Sequence, residues 1–86
     1  MSEKWIAYKD KLPEAPHVFE DTVDPIPYSW HESDELLIQT KEGKLIVGIY
    51  VPDDPSIGEC WIDANTYDTI REEIVAWMPC PARYES

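Results

Sequence analysis

Glycine is scarce in this 86-residue chain: Gly43, Gly48 and Gly58 lie too far apart to form a phosphate-cradling loop. Chemistry-bearing side chains are few as well, with two cysteines (Cys60, Cys80) and two histidines (His17, His31). Their spacing contains no Cys-x-x-Cys or His-x-x-x-His element, which disfavours structural zinc, and no cofactor is expected. Neither thiol sits in a basic surround or at a helix start that would activate it; Cys60 reads as a small buried hydrophobe and Cys80 as part of a terminal turn. Bases are also rare: seven Lys and Arg face eighteen Asp and Glu, a net charge of −11. That balance argues against unaided binding to nucleic acid or to an anionic membrane. No apolar run approaches the ~18 residues of a membrane span. Met1–Lys11 shows no basic start followed by an apolar stretch, so we expect a cytoplasmic protein with reduced thiols.

What is present is globular: 43% apolar and 12% aromatic residues. A chain of this mass buries ~64% of its unfolded surface, enough for one thin core and little room for a deep cleft. We therefore expect a single domain over 1–86. The clearest local pattern is a β-hairpin, with strand-formers at 35–40 and 44–51 joined by Lys41-Glu42-Gly43, whose glycine admits a positive φ. The two runs are almost continuously apolar, which fits a strand buried on both faces. Gly48 within the second suggests a bulge or the close approach of an aromatic ring. Residues 60–63 and 74–78 read as further strands, the last stopped by Pro79 and Pro81. The stretch 64–73 suits either a helical turn or extended chain. Residues 16–33, with Pro16, Pro25 and Pro27 among acids and aromatics, show no period and read as an irregular loop insertion. The expected fold is mainly β, with at most one helical turn. It is a single curled antiparallel sheet of about four strands, partly barrel-like, with a long irregular N-terminal excursion. Its expected core is Trp5, Leu36, Ile38, Leu45, Val47, Ile49, Trp61, Ile74, Val75 and Trp77.

The two ends carry a pattern of their own. Trp5-Ile6, then Lys11-Leu12-Pro13-Glu14, a hydrophobic hairpin, a Trp strand and Val75-Ala76-Trp77-Met78-Pro79-Cys80-Pro81 follow one another. Over residues 4–14 and 34–81 this resembles the phage and prophage family known as domain of unknown function 551. Members open with Trp-Ile and Leu-Pro and end in His-Trp-Met-Pro-Leu-Pro. Ala76 stands where the family has His, and 15–33 is longer than the family's connection, so neither feature transfers. The resemblance implies a small protein of a phage, prophage or bacterial host, and no activity. On physical grounds alone, a Trp near each end beside a proline-bearing turn suits paired terminal segments at one sheet edge.

The acids are unevenly placed. Residues 12–40 hold seven (Glu14, Glu20, Asp21, Asp24, Glu32, Asp34, Glu35) and no Lys or Arg; residues 45–70 hold five more, again without a base. Such abundance makes any single carboxylate pair uninformative about catalysis, and Asp53-Asp54 alone is a weak cation site. Three roles suit an acidic face: solubility, docking of a basic protein surface, or imitation of nucleic-acid phosphates. For the last, strand residues two apart are spaced ~6.6 Å, close to phosphate separations. We expect a non-enzymatic accessory protein that binds a macromolecular partner with a basic surface, a nucleic-acid-handling host enzyme being the sharpest version. The alternatives are a charged domain of solubilising role or, last, a small hydrolase or metal-binding protein. The expected partner site is Tyr28, Trp30, Glu32, Asp34, Asp53 and Asp54. Both a monomer and a homodimer paired through a sheet edge remain open.

Overall fold

Thr40 and Gly43 close the expected hairpin. In the computed structural model, which describes residues 5–23 and 26–80, Gly43 has φ 91° and its N–H donates to Thr40 O at 2.9 Å. The Thr40 hydroxyl accepts from Lys44 N, and Thr40 is fully buried. The strands so joined lie inside a five-stranded antiparallel sheet ordered β1-β7-β4-β5-β6. Here β1 is Ile6–Ala7, β4 Leu36–Thr40, β5 Leu45–Asp54, β6 Gly58–Asp63 and β7 Ile74–Pro79. The paired ends are as anticipated: Ile6 opposes Trp77 and Ala7 opposes Ala76. The Trp77 indole N–H also donates to Lys11 O at 2.9 Å, drawing the segment before the buried Pro13 onto the sheet.

The period of two explains the near-continuous apolar runs. With Leu36 opposite Gly48, Ile38 opposite Trp77 and Tyr50 opposite Trp61, one face collects Leu36, Ile38, Tyr50, Trp61, Ile74 and Trp77. The alternate residues Ile49, Val51 and Cys60 form a second cluster on the other face, against which Trp30 and Ile62 pack. Burial of Tyr50 and Val51 goes beyond the expected core. Leu45 falls outside it, at 57% exposure beside the hairpin turn, while Trp5, Val47 and Val75 are half-buried. Gly48 makes room for aliphatic and backbone neighbours instead of a ring: a Cβ there would lie 2.9 Å from Ile38 Cδ1 and 3.1 Å from Ile62 O.

Two expectations need correction. The sheet has five strands, and its edges β1 and β6 do not meet, so it is open instead of barrel-like. Of the two readings open for 64–73, the extended one holds beyond a turn at 64–66: Thr69 bridges Ile62, and Ile70 N donates to Trp61 O at 2.8 Å, so this part of the segment runs along the outer side of β6. The stretch 16–33, expected to be irregular, is not so at residues 17–23 and 26–32, while Pro25 lies outside the described residues. These two runs form a second, two-stranded sheet of β2 (His17–Val23) and β3 (Ile26–Glu32), in unbroken register from His17 opposite Glu32 to Val23 opposite Ile26. Pro27 is compatible with this for a geometric reason. His31 N is spent outside the ribbon, on Asp53, so the alternation of an antiparallel ladder turns the backbone N of residues 27, 29 and 31 away from β2. Pro27 therefore lacks an N–H where no ladder bond would form. Among the described residues there is no helix, and so none long and apolar enough to cross a membrane.

Candidate functional site

Ser33 turns the chain from one sheet into the other. Its N–H donates to Tyr50 O at 2.9 Å, and its hydroxyl accepts from Tyr50 N at 2.8 Å and donates to Asp34 O at 2.7 Å. A hydroxyl thus stands in for a ladder carbonyl, and the line of β4 continues into β3 along the second half of β5. The ribbon is fastened there by two further struts. Asp53 accepts from His31 N at 2.7 Å and from His31 Nδ1 at 2.6 Å, and Asp34 accepts from His17 Nε2. An ionised carboxylate has only lone pairs to offer, so each imidazole donates. The two His31 N–H donors, the backbone one first, hold the Asp53 carboxyl below its ordinary range.

Odd positions of β2 and even positions of β3 share one face of the ribbon. Phe19 and Trp30 stack there with centroids 5.9 Å apart and planes at 19°, and Tyr28 stacks on Trp30 at 5.8 Å and 27°. Carboxylates flank this ladder. The Trp30 indole N–H donates to Glu32 Oε2 at 2.9 Å, and the Tyr28 hydroxyl lies 3.4 Å from Asp21 Oδ2. Desolvation first, then the charges of Asp21 and Asp54, raise the Tyr28 phenol above its usual pKa. Trp30 is half-buried against the sheet while Phe19 is 42% exposed, so the middle of the ladder is anchored and its Phe19 end reaches solvent.

Of the six expected site residues, Tyr28, Trp30 and Glu32 lie on this one face. Asp54 lies near enough for its charge to act on Tyr28 and Cys60, but its Oδ1 also caps a turn by accepting from Ser56 N at 2.8 Å and Ile57 N at 3.1 Å. Asp34 and Asp53 belong to the struts. Phe19 and Asp21 complete the face without having been expected there. The signal was present as two spaced triplets, His17-x-Phe19-x-Asp21 and Tyr28-x-Trp30-x-Glu32, each aromatic or polar on alternate residues.

Among the described residues no Lys or Arg side chain pairs with a carboxylate of this ribbon. One ammonium–carboxylate pair forms among the described residues, Lys44 Nζ with Glu72 Oε2 at 3.4 Å, in the segments that lead into β5 and β7 of the other sheet. Burial, then the negative charges of Asp54, Glu32 and Glu59, push the Cys60 thiol up and keep it protonated, the wrong direction for a nucleophile. Three or more His, Cys, Asp or Glu side chains converge nowhere among the described residues in a way that would hold a metal ion. A groove of about 590 Å³ lies beside β1 and β7, lined by Tyr8, Trp61, Glu73, Ile74 and Val75 among others. Its floor is core: Tyr8 and Trp61 meet edge to face at 5.6 Å, Tyr50 lies 5.0 Å from Trp61, and the Tyr50 hydroxyl donates to Glu59. No family model, curated protein or solved structure matches the chain, so the family resemblance rests on its motif residues alone.

Proposed function

We propose that this protein acts by non-covalent docking of a basic protein surface onto the β2–β3 ribbon. The observation that carries this reading is the stacked ladder of Phe19, Trp30 and Tyr28 bordered by Asp21 and Glu32, in a stretch, 12–40, without a Lys or Arg. A partner's guanidinium or ammonium group gains a carboxylate and an aromatic face together there, and the net charge of −11 steers the encounter. Docking is favoured over imitation of a phosphate lattice because neighbouring acids diverge: Glu20 and Asp21 point to opposite faces of β2. Enzymes that handle nucleic acid carry basic surfaces of the required kind. A bacterial host enzyme of that class, met in the cytoplasm, is the partner that the resemblance to phage proteins favours.

The test is capture from bacterial lysate on the immobilised protein, with identification of what is retained. We expect basic proteins retained at low salt and released at ~0.5 M salt, where the Debye length falls to ~4 Å. The double variant Asp21→Lys with Tyr28→Ala should lose them. Equal capture by that variant would remove the ribbon from the reading.

A further inference from the structure

Both edges of the five-stranded sheet are short or covered: β1 has two residues, and β6 is flanked by the bonds from Ile70 and Asp68. The strand β2 differs. It has seven residues, pairs on one side with β3, and carries no other backbone ladder among the described residues. The parity that turns residues 27, 29 and 31 away from β2 also turns the N–H and C=O of their partners Thr22, Glu20 and Val18 outward. The Thr22 N–H is taken up by Asp21 Oδ1 at 2.7 Å, which leaves the outward groups of Val18 and Glu20 as a short template. Val18 is 59% exposed, and neither a lysine, a proline nor a bulge blunts the strand.

We propose that the outer edge of β2 receives an extended basic segment of the partner by strand addition, a mode of binding that deepens the docking reading above and rests on it. Side chains along the edge choose the occupant. Phe19 and Val18 offer an apolar half; Asp21 and Glu20 offer an acidic half. An antiparallel strand reading, from its N-terminus, two bases and then two apolar residues places Lys or Arg opposite Asp21 and Glu20, and apolar side chains opposite Phe19 and Val18. On the ladder face, the base opposite Asp21 also lies near Tyr28. A second copy of this chain fits worse, because it brings another net charge of −11 and its own Glu20 to the same edge.

The probe is the synthetic peptide Ser-Lys-Lys-Leu-Val-Thr, titrated against the full chain at low salt. Binding is expected with hydrogen-exchange protection confined to Val18–Thr22. Alternate backbone N-methylation of the peptide should weaken it about tenfold or more, since each lost hydrogen bond also leaves an acceptor unpaired. The reversed sequence Thr-Val-Leu-Lys-Lys-Ser should bind less well. On the protein side, Val18→Pro removes one outward donor while leaving the bonds to β3 in place, as Pro27 does on the opposite strand, and should weaken the peptide similarly. The methylated peptide tests the same point on the unaltered protein. Binding of the methylated peptide equal to that of the parent would overturn strand addition and leave docking by side chains standing. No binding of any of these peptides, together with retained capture of basic proteins that Asp21→Lys with Tyr28→Ala abolishes, would have the same effect. Failure of both would remove the docking reading itself. Self-association at micromolar concentration, abolished by Val18→Pro, would replace the basic partner with a second copy.

Discussion

The five-stranded sheet and the two-stranded ribbon are built of the same extended chain, yet they are held by different forces. The sheet buries Ile38, Tyr50, Val51, Trp61 and Trp77 on its two faces, and its strands support one another through apolar contact. The ribbon buries little. It leans on the sheet through Trp30 and is otherwise fastened by polar groups, the Ser33 hydroxyl and two His–Asp pairs. An isolated two-stranded ribbon is marginal in water, so those few attachments decide whether β2 and β3 exist as drawn. The comparison teaches that the part of the molecule that carries the stacked aromatic ladder and its flanking carboxylates is also the part most dependent on specific hydrogen bonds.

The largest expected effect breaks the sheet. Trp77→Ala removes a buried ring and the bond to Lys11 O, and should cost about 3–5 kcal/mol in denaturant unfolding, whereas Tyr28→Ala on the ribbon should cost less than about 1 kcal/mol. Comparable losses in the two variants would erase the distinction between the regions. Next comes the joint. Ser33→Ala leaves the buried Tyr50 N–H without its acceptor, an expected penalty of about 1–3 kcal/mol. Its signature is amide exchange that accelerates in 17–32 before it does in 36–63; uniform acceleration would mean that ribbon and sheet unfold as one unit.

The smallest effect is acid-sensitive. The folded Asp53 carboxyl is held below its ordinary range, so its contribution to attachment is complete above the unfolded carboxylate range and is lost as pH falls through the lowered folded value. Lowering the pH below the ordinary carboxylate range should therefore shift the backbone resonances of 30–32 before those of the sheet core. Asp53→Asn should abolish that early shift, and its persistence in the variant would assign the attachment to other groups.

Reading the ribbon from sequence fails for a definable reason. Its faces alternate aromatic with acidic or hydroxyl side chains, so hydropathy shows no period, and Pro25 and Pro27 mark a break in most contexts. Only the pairing of His31 N with Asp53, from a strand 22 residues away, reveals that Pro27 sits where no ladder donor is needed. The hairpin at Lys41-Glu42-Gly43 was legible because its turn chemistry and its apolar runs are local properties. Half of the expected site followed the same divide. Tyr28, Trp30 and Glu32 share a face through a two-residue period visible in the chain, while Asp34 and Asp53 turned out to be struts because histidines from β2 and β3 reach them.

Composition and local pattern by themselves determined an acidic, strand-rich protein with a glycine-closed hairpin and tryptophan-bearing ends. These follow from charge count, side-chain branching and backbone freedom, each of which acts within a few residues. Tertiary structure alone decided that 17–23 and 26–32 pair as a ribbon, that the sheet stays open, and that among the described residues β2 keeps an unpaired edge. Those outcomes depend on which distant groups satisfy a backbone N–H or cover an apolar face, and no local stretch of sequence contains both partners.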